Sequence, residues 1–457
     1  MTKTSRITDF TSGNIPKQLA IFAAPLFLSN LLQVVYNMVD MIVVGQVLGQ
    51  VGLSAVSVGG DVSHFMTFIA MGFSAAGQVL ISQFIGANER HKIGRFVATM
   101  FTFLLCCSIG ISALCLLFRG PILQLMNVPQ EAYAQALGYS TVSALGLLFI
   151  YGYNMCSAVL RGMGDSKHPF VFISLAAVMN LILDIIFVSF FHTGATGAAL
   201  ATVLSQGTSF VLCAVFLLKH KEEFELNITI RDFLHPDREM LSDLIKLGTP
   251  MAIKSASVQF SKLFVNSWIN SYGVAVSAFA GIANKFSSVA NLISNAINNA
   301  GSSMVGQNIA AKQFERVKKI VLIIFAITTV VATFFTVAVW QWPMQIFRIF
   351  TQDEAVLRIA LDYIPIAALM FYGSAARSGM NALINGSGNY KCNFATAILD
   401  GIVMRIGLAV VFGILLDWGY LGFWLGDALA GFTPFVIGAV FYLSGSWKKG
   451  RGGRDAH

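Results

Sequence analysis

The chain has 457 residues, 56% of them hydrophobic and only 11% charged, with a formal net charge of +8. A soluble domain carries about 25% charged residues, so these proportions exclude a water-soluble globular protein of this length. The surplus of basic residues is accounted for by membrane topology, and a nucleic-acid role is a forced reading of the same residues.

A helix needs about 20 apolar residues to cross the hydrocarbon core. In chain order, twelve such stretches are predicted: 15–45, 52–85, 94–118, 137–161, 168–190, 195–218, 241–271, 275–308, 316–341, 360–386, 391–415 and 420–445. All are expected to be helices, because lipid offers the backbone no other partner and the alternation of a barrel strand is absent. The first stretch follows a polar arm and is longer than a signal core, so the N-terminus is expected to be retained.

Basic residues gather on one side of this topology. Lys3, Arg6 and Lys17 precede the first stretch; Arg90, Lys92 and Arg95 follow the second; Arg161 and Lys167 separate the fourth and fifth. Lys312, Arg316, Lys318 and Lys319 follow the eighth, and the opposite loops offer only Arg119, Arg348 and Arg358. The positive-inside bias predicts cytoplasmic termini in an inner (plasma) membrane protein.

The second half repeats the first at a shift of about 224 residues. "LAIFAAPLFLSN" answers "IKLGTPMAIKSA", bringing Pro25 to Pro250. "ISQFIGANERHKIGRFV" answers "VGQNIAAKQFERVKKIV", "LRGMGDSK" answers "INGSGNYK", and "GATGAALA" answers "GYLGFWLG". The predicted fold is therefore an all-α membrane protein with twelve transmembrane helices in two pseudo-symmetric six-helix lobes. Its parts are an N-lobe over 1–218, a cytoplasmic linker over 219–240 and a C-lobe over 241–457. An even helix number per half makes the repeat parallel, with a binding site expected between the halves.

Ionisable residues inside the spans carry the functional argument. Each costs about 2.5–3.5 kcal/mol at mid-bilayer, so Asp40, Asp61, Asp184, Asp400, Asp427, Lys254, Lys262, Lys285, Arg377 and Arg405 must pair, reach an interface or line water. Helical spacing groups them with other polar residues. Gln33, Asn37 and Asp40 share a stripe, with Tyr36 one turn from Asp40. Asn180 lies four residues before Asp184, and Thr202 four before Gln206. Gln259, Lys262 and Asn266 share another face, and Asn284, Asn291 and Asn298 a longer one.

The oxygens of Asp40, Asn180, Asp184 and Thr202 suit a proton or a hard cation such as sodium. The same four residues could instead form a hydrogen-bond network that only fixes helix packing. The basic residues of the second half could contact anionic substrate groups, pair with Asp61, Asp400 and Asp427, or snorkel. The six cysteines lack metal-ligand spacing and read as packing residues. Gly45 and Gly49 read as a packing motif. Neither HExxH nor GxSxG occurs, which disfavours an intramembrane enzyme.

The chain resembles the multidrug and toxic compound extrusion (MATE) family along essentially its whole length. The resemblance rests on "FAAPLFLSNLLQVVYNMVDMIVVGQVLG", "AVLRGMGDSKHP", "NLILDIIFV" and "GATGAALATVLSQ". It implies a secondary active exporter of amphipathic, drug-like small molecules, working by alternating access and driven by inward proton or sodium flow. Carried over residue by residue, it implies a coupling site at Asp40, Asn180, Asp184 and Thr202, with Tyr36, Asn37 and Tyr139 as neighbours. The expected substrate cavity comprises Gln33, Gln206, Gln259, Lys262, Asn266, Lys285, Asn291 and Arg377. Other members carry acids in helices seven, eight or ten, where this chain has Lys254, Lys262, Lys285 and Arg377. No cofactor and no resident metal beyond the coupling ion are expected. The chain is expected to act as a monomer whose partners are its substrate and membrane lipid. The alternative is a flippase of lipid-linked precursors from the same superfamily.

Overall fold

The computed structural model describes residues 5–126 and 128–449, apart from the side chain of Ala290. In chain order the helices are α1 (Ile15–Gly86), α2 (Ile93–Leu125), α3 (Gln130–Leu145), α4 (Leu147–Gly162), α5 (Lys167–Asp184), α6 (Gly194–Lys219), α7 (Ile230–Leu234) and α8 (Arg238–Asn270). They continue as α9 (Val274–Ala310), α10 (Phe314–Gln341), α11 (Pro343–Phe347), α12 (Glu354–Gly386), α13 (Tyr390–Ile398), α14 (Arg405–Val410), α15 (Gly419–Ala430) and α16 (Thr433–Leu443). Three π-helical turns, Ile185–Phe190, Leu399–Met404 and Val411–Leu415, extend α5, α13 and α14. The protein has an all-α, multi-span membrane fold.

Among the described residues, eight helical stretches are long and apolar enough to cross a membrane. The number rises to nine if α3 and α4, which meet at 48°, form one span. Helices α8 and α9 are not among them, because lysines and amides dilute their apolar runs. The predicted first and second stretches are one element, α1, broken at Gly49 with φ 62°. That left-handed conformation costs an L-residue with a side chain about 1–2 kcal/mol, and glycine adopts it freely. Gly49 therefore ends one helix and starts the next, a role beyond the packing motif expected of it.

The predicted linker contains α7, held by a capping box in which Thr229 and Asp232 each bond the other's backbone N–H. Such a box satisfies two of the donors that a helix start leaves without partners. Asp237 then accepts from the N–H groups of Glu239 and Met240 at the start of α8.

The chain forms two compact units, one of residues up to Asp9 with Ala24–Ala252, the other of Phe10–Ala23 with residues from Ile253 onward. In the first, α6 packs against α3, α4 and α5, while α2 packs on α3 and α4. Its core gathers Phe73, Ile81, Phe96, Met100, Leu147 and Tyr151. In the second, α9, α10 and α12 pack mutually, with α15 and α16 on α12. Its core gathers Phe279, Phe347, Tyr363, Phe371, Phe423 and Trp424. The chain passes between units three times: at Asp9–Phe10, before α1, and inside α1 and α8, near Pro25 and Pro250.

The backbone repeats itself as the sequence does. Left-handed residues recur 224 or 225 positions apart: Gly49 and Gly273, Asn88 and Lys312, Gly164 and Gly388, His192 and Asp417, Gly194 and Gly419. One close helix contact recurs as well. A Cβ on Gly162 would come within 2.9 Å of Gln78 O and Ile81 Cβ; one on Gly386 would meet Ser302 O at 2.7 Å and Val305 Cβ at 2.8 Å.

Candidate functional site

In the first unit, α1, α3, α5 and α6 bring polar side chains together. Asp184 is 0% exposed and Asn180 3% exposed, while Asp40, Tyr36 and Thr202 are half-buried. The Asp40 and Asp184 carboxyls lie within hydrogen-bonding reach of each other, and Tyr36 and Tyr139 stand close enough to feel both charges. Tyr139 is buried against the backbone of α1, where a Cβ on Gly59 would come within 2.4 Å of its ring. Asn37 is exposed on α1, Gln33 is half-buried there, and Gln206 is half-buried on α6.

Asn180 is the bridge. With Nδ2 toward Thr202, it donates to Oγ1 at 3.4 Å. With the amide turned over, Nδ2 donates to Asp184 Oδ2 at 3.2 Å and Oδ1 accepts from the Thr202 N–H at 3.2 Å. The second orientation satisfies both ends, since in the first the amide oxygen faces only acceptors.

Within this cluster, two buried oxygens have no hydrogen bond among the described residues: Asp40 Oδ1 and Asp184 Oδ1. Leaving a buried acceptor unsatisfied costs about 1–3 kcal/mol, and more for a charged group. Two carboxylates in contact also repel. A proton or a cation between them answers both problems. Asp184 is the last α-helical residue before the π-turn Ile185–Phe190. Such turns free backbone groups and are common at functional positions. The sequence carried no signal for the turn, because Ile-Ile-Phe-Val continues an apolar helix equally well.

In the second unit a basic cluster forms. Arg405 and Asp400 are each 2% exposed. Arg405 Nη1 bonds Asp427 Oδ1 at 2.5 Å, and Nη2 bonds Asp400 Oδ1 at 3.3 Å. Lys254 donates instead to Asn381 Oδ1 at 2.7 Å, and Arg377 donates to Asn291 Oδ1. Lys262 is half-buried on α8, within the electrostatic reach of Asp427, Arg405 and Arg377. Among the predicted cavity residues, Asn266 is half-buried on the same helix, Gln259 is exposed there, and Lys285 is exposed on α9. Asn381 was missed; it lies four residues after Arg377, a spacing that could have found it.

No group of three or more histidine, cysteine or acidic side chains suited to a metal ion occurs among the described residues.

Two stretches, 25–186 and 250–411, match the MatE family model. The chain is 28% identical over 440 residues to the "Probable multidrug resistance protein YpnP" of Bacillus subtilis (strain 168), covering 96% of this chain and 97% of that one. It is 27% identical over 439 residues to the "Probable multidrug resistance protein YoeA" of the same organism, covering 95% and 94%. The fold matches, with a TM-score of 0.89 and 22% identity, a solved structure described as an outward-facing conformation of a multidrug resistance MATE family transporter. That match covers 98% of this chain and 100% of the other. Because the family model accounts for most of both halves, the chain belongs to the MatE family, the multidrug and toxic compound extrusion transporters, and is not an enzyme.

Proposed function

We propose that the protein exports amphipathic, drug-like small molecules across the plasma membrane by alternating access, coupled to inward movement of a proton or sodium ion. The observation that carries this reading is the pair Asp40 and Asp184. Two carboxyls from different helices are in reach of one another, each with a buried oxygen lacking a hydrogen bond. Asn180, Thr202, Tyr36, Asn37 and Tyr139 complete the coupling site.

The kinked α1 counts as two spans in this reading, the α3–α4 pair as one, and the polar α8 and α9 as one each. The total is then twelve, in two six-helix lobes over 1–218 and 241–457 joined by the linker 219–240. Both termini are cytoplasmic and the working form is a monomer within membrane lipid. Gln33, Gln206, Gln259, Lys262, Asn266, Lys285, Asn291 and Arg377 line the substrate path. Exposed amides inside a span support that assignment, since lipid would leave them unsatisfied.

The test is transport of fluorescent dyes by reconstituted protein under separate proton and sodium gradients. Asp40→Asn and Asp184→Asn should each abolish gradient-driven export while the protein still folds. Normal export by both variants would remove the reading. A second reading, flipping of lipid-linked precursors, draws on the basic cluster of the second unit; movement of labelled lipid analogues in the same vesicles would favour it.

A further inference from the structure

We propose that the second unit holds a binding site for a single oxyanion group, a carboxylate or phosphate carried by an amphipathic molecule, built from Lys262 and Arg377, which lie within electrostatic reach of each other. The proposal rests on the transporter reading and specifies the charge of what is carried.

Among the described residues, the carboxylates within electrostatic reach of Lys262 and Arg377 are Asp400 and Asp427, and that of Lys254 is Asp400, so with Arg405 four bases share two acids. Both acids are engaged by one base, since Arg405 holds Asp427 with one guanidinium nitrogen and Asp400 with another. The other three make no ion pair among the described residues. Lys254 and Arg377 donate to neutral amides, Asn381 and Asn291. Those contacts fix the side chains in place without neutralising them. Lys262 makes no hydrogen bond among the described residues and leaves its three donors available.

Location makes this surplus costly. Lys262 lies eight residues before the end of α8 at Asn270, about 12 Å along the helix, farther than its four-carbon stem extends. Snorkelling to the near interface therefore does not relieve it. Lys254 lies eight residues earlier, about another 12 Å along α8, so it adds to the surplus charge without touching the same oxyanion. All three are half-buried rather than sealed. They have surface at which a ligand could arrive, in surroundings that strengthen a charge-assisted bond. An arriving oxyanion would satisfy the available donors and offset the surplus charge together. The apolar body of the ligand would meet the aliphatic and aromatic residues of the same helices.

The matched probes are 1-pyrenebutyrate and its methyl ester, which differ in one negative charge. Binding is read by fluorescence titration of the protein in phosphatidylcholine nanodiscs, with no gradient. The acid should bind at least tenfold more tightly than the ester. Lys262→Gln should erase that preference, the acid falling to the affinity of the ester, and Lys262→Arg should restore it. Phosphatidylglycerol in the nanodiscs separates the sources of the group. If the natural ligand is a lipid headgroup, the lipid competes with the acid in the unmodified protein but not in Lys262→Gln. If it is a soluble anion, the acid binds equally in both lipids. Either pattern supports the site. No preference for the acid, a preference unchanged in Lys262→Gln, or equal loss of both probes overturns it. Asp184→Asn should retain the preference, so failure of the coupling reading and failure of this one are distinguishable.

Discussion

Arg405 shows how one side chain decides the electrostatics around it. Among the described residues it is the only base of its cluster paired with carboxylates, and it pairs with both Asp400 and Asp427. Removing one partner from a buried ion pair typically costs about 3–5 kcal/mol, mostly from the charge left behind. Arg405→Ala should therefore lower the melting temperature sharply. The same change made with Asp400→Asn and Asp427→Asn should recover much of the loss, because no charge is then stranded. An additive triple variant, read by thermal unfolding in detergent, would show that the arginine acts through packing instead. Charge at this scale was legible in the sequence as a set of misplaced residues. Which base met which acid was not, since Asp400, Arg405 and Asp427 join only through side chains from separate turns and helices.

At the scale of elements, the contacts that hold helices together are made by glycine. Gly162 lets α4 approach Gln78 and Ile81 of α1, and Gly386 lets α12 approach Ser302 and Val305 of α9 in the same way. Adding a methyl group to such a contact costs about 1–3 kcal/mol, because backbone cannot yield as a flexible side chain does. Gly162→Ala and Gly386→Ala should each destabilise the protein by similar amounts. Gly110→Ala, where nothing lies within 4 Å of the new atom, should not lower the melting temperature and should raise it slightly, since alanine favours a helix interior over glycine by about 0.5–1 kcal/mol. A neutral Gly386→Ala beside a damaging Gly162→Ala would mean that the two halves pack differently. They do differ at one point: α3 and α4 bend at 48°, while α12 runs unbroken from Glu354 to Gly386.

For the whole molecule, the passage of chain between the two units is the feature with mechanical consequences. Of the three crossings, at Asp9–Phe10, Ala23–Ala24 and Ala252–Ile253, the last two each lie within two residues of a proline inside a helix. An internal proline removes one helix hydrogen bond and costs about 3 kcal/mol, which leaves a point where the helix bends with little resistance. Pro250→Ala should raise thermal stability, by restoring that bond, and lower the transport rate, by stiffening the hinge. Binding of pyrenebutyrate should be retained. Faster transport, or unchanged transport with raised stability, would exclude a hinge at this position.

The sequence by itself determined the membrane class, the internal repeat and the family, because each is written in composition and spacing. Twenty apolar residues are a span wherever they fold, and a shift of 224 or 225 is visible before any coordinate. It also singled out Asp40 and Asp184, since a carboxylate in an apolar helix is conspicuous without its neighbours. Tertiary structure decided what those carboxylates meet: α1 and α5 must pack before one acid can reach the other. It decided that Gly49 breaks a helix rather than serving only as a packing motif, because a φ of 62° is a property of the folded backbone. It decided the π-turn after Asp184, where helix geometry changes without any change in residue type. And it decided that Arg405 takes both acids of its cluster while Lys254, Lys262 and Arg377 form no ion pair among the described residues. Pairing depends on distance and direction between helices, and a linear spacing carries neither.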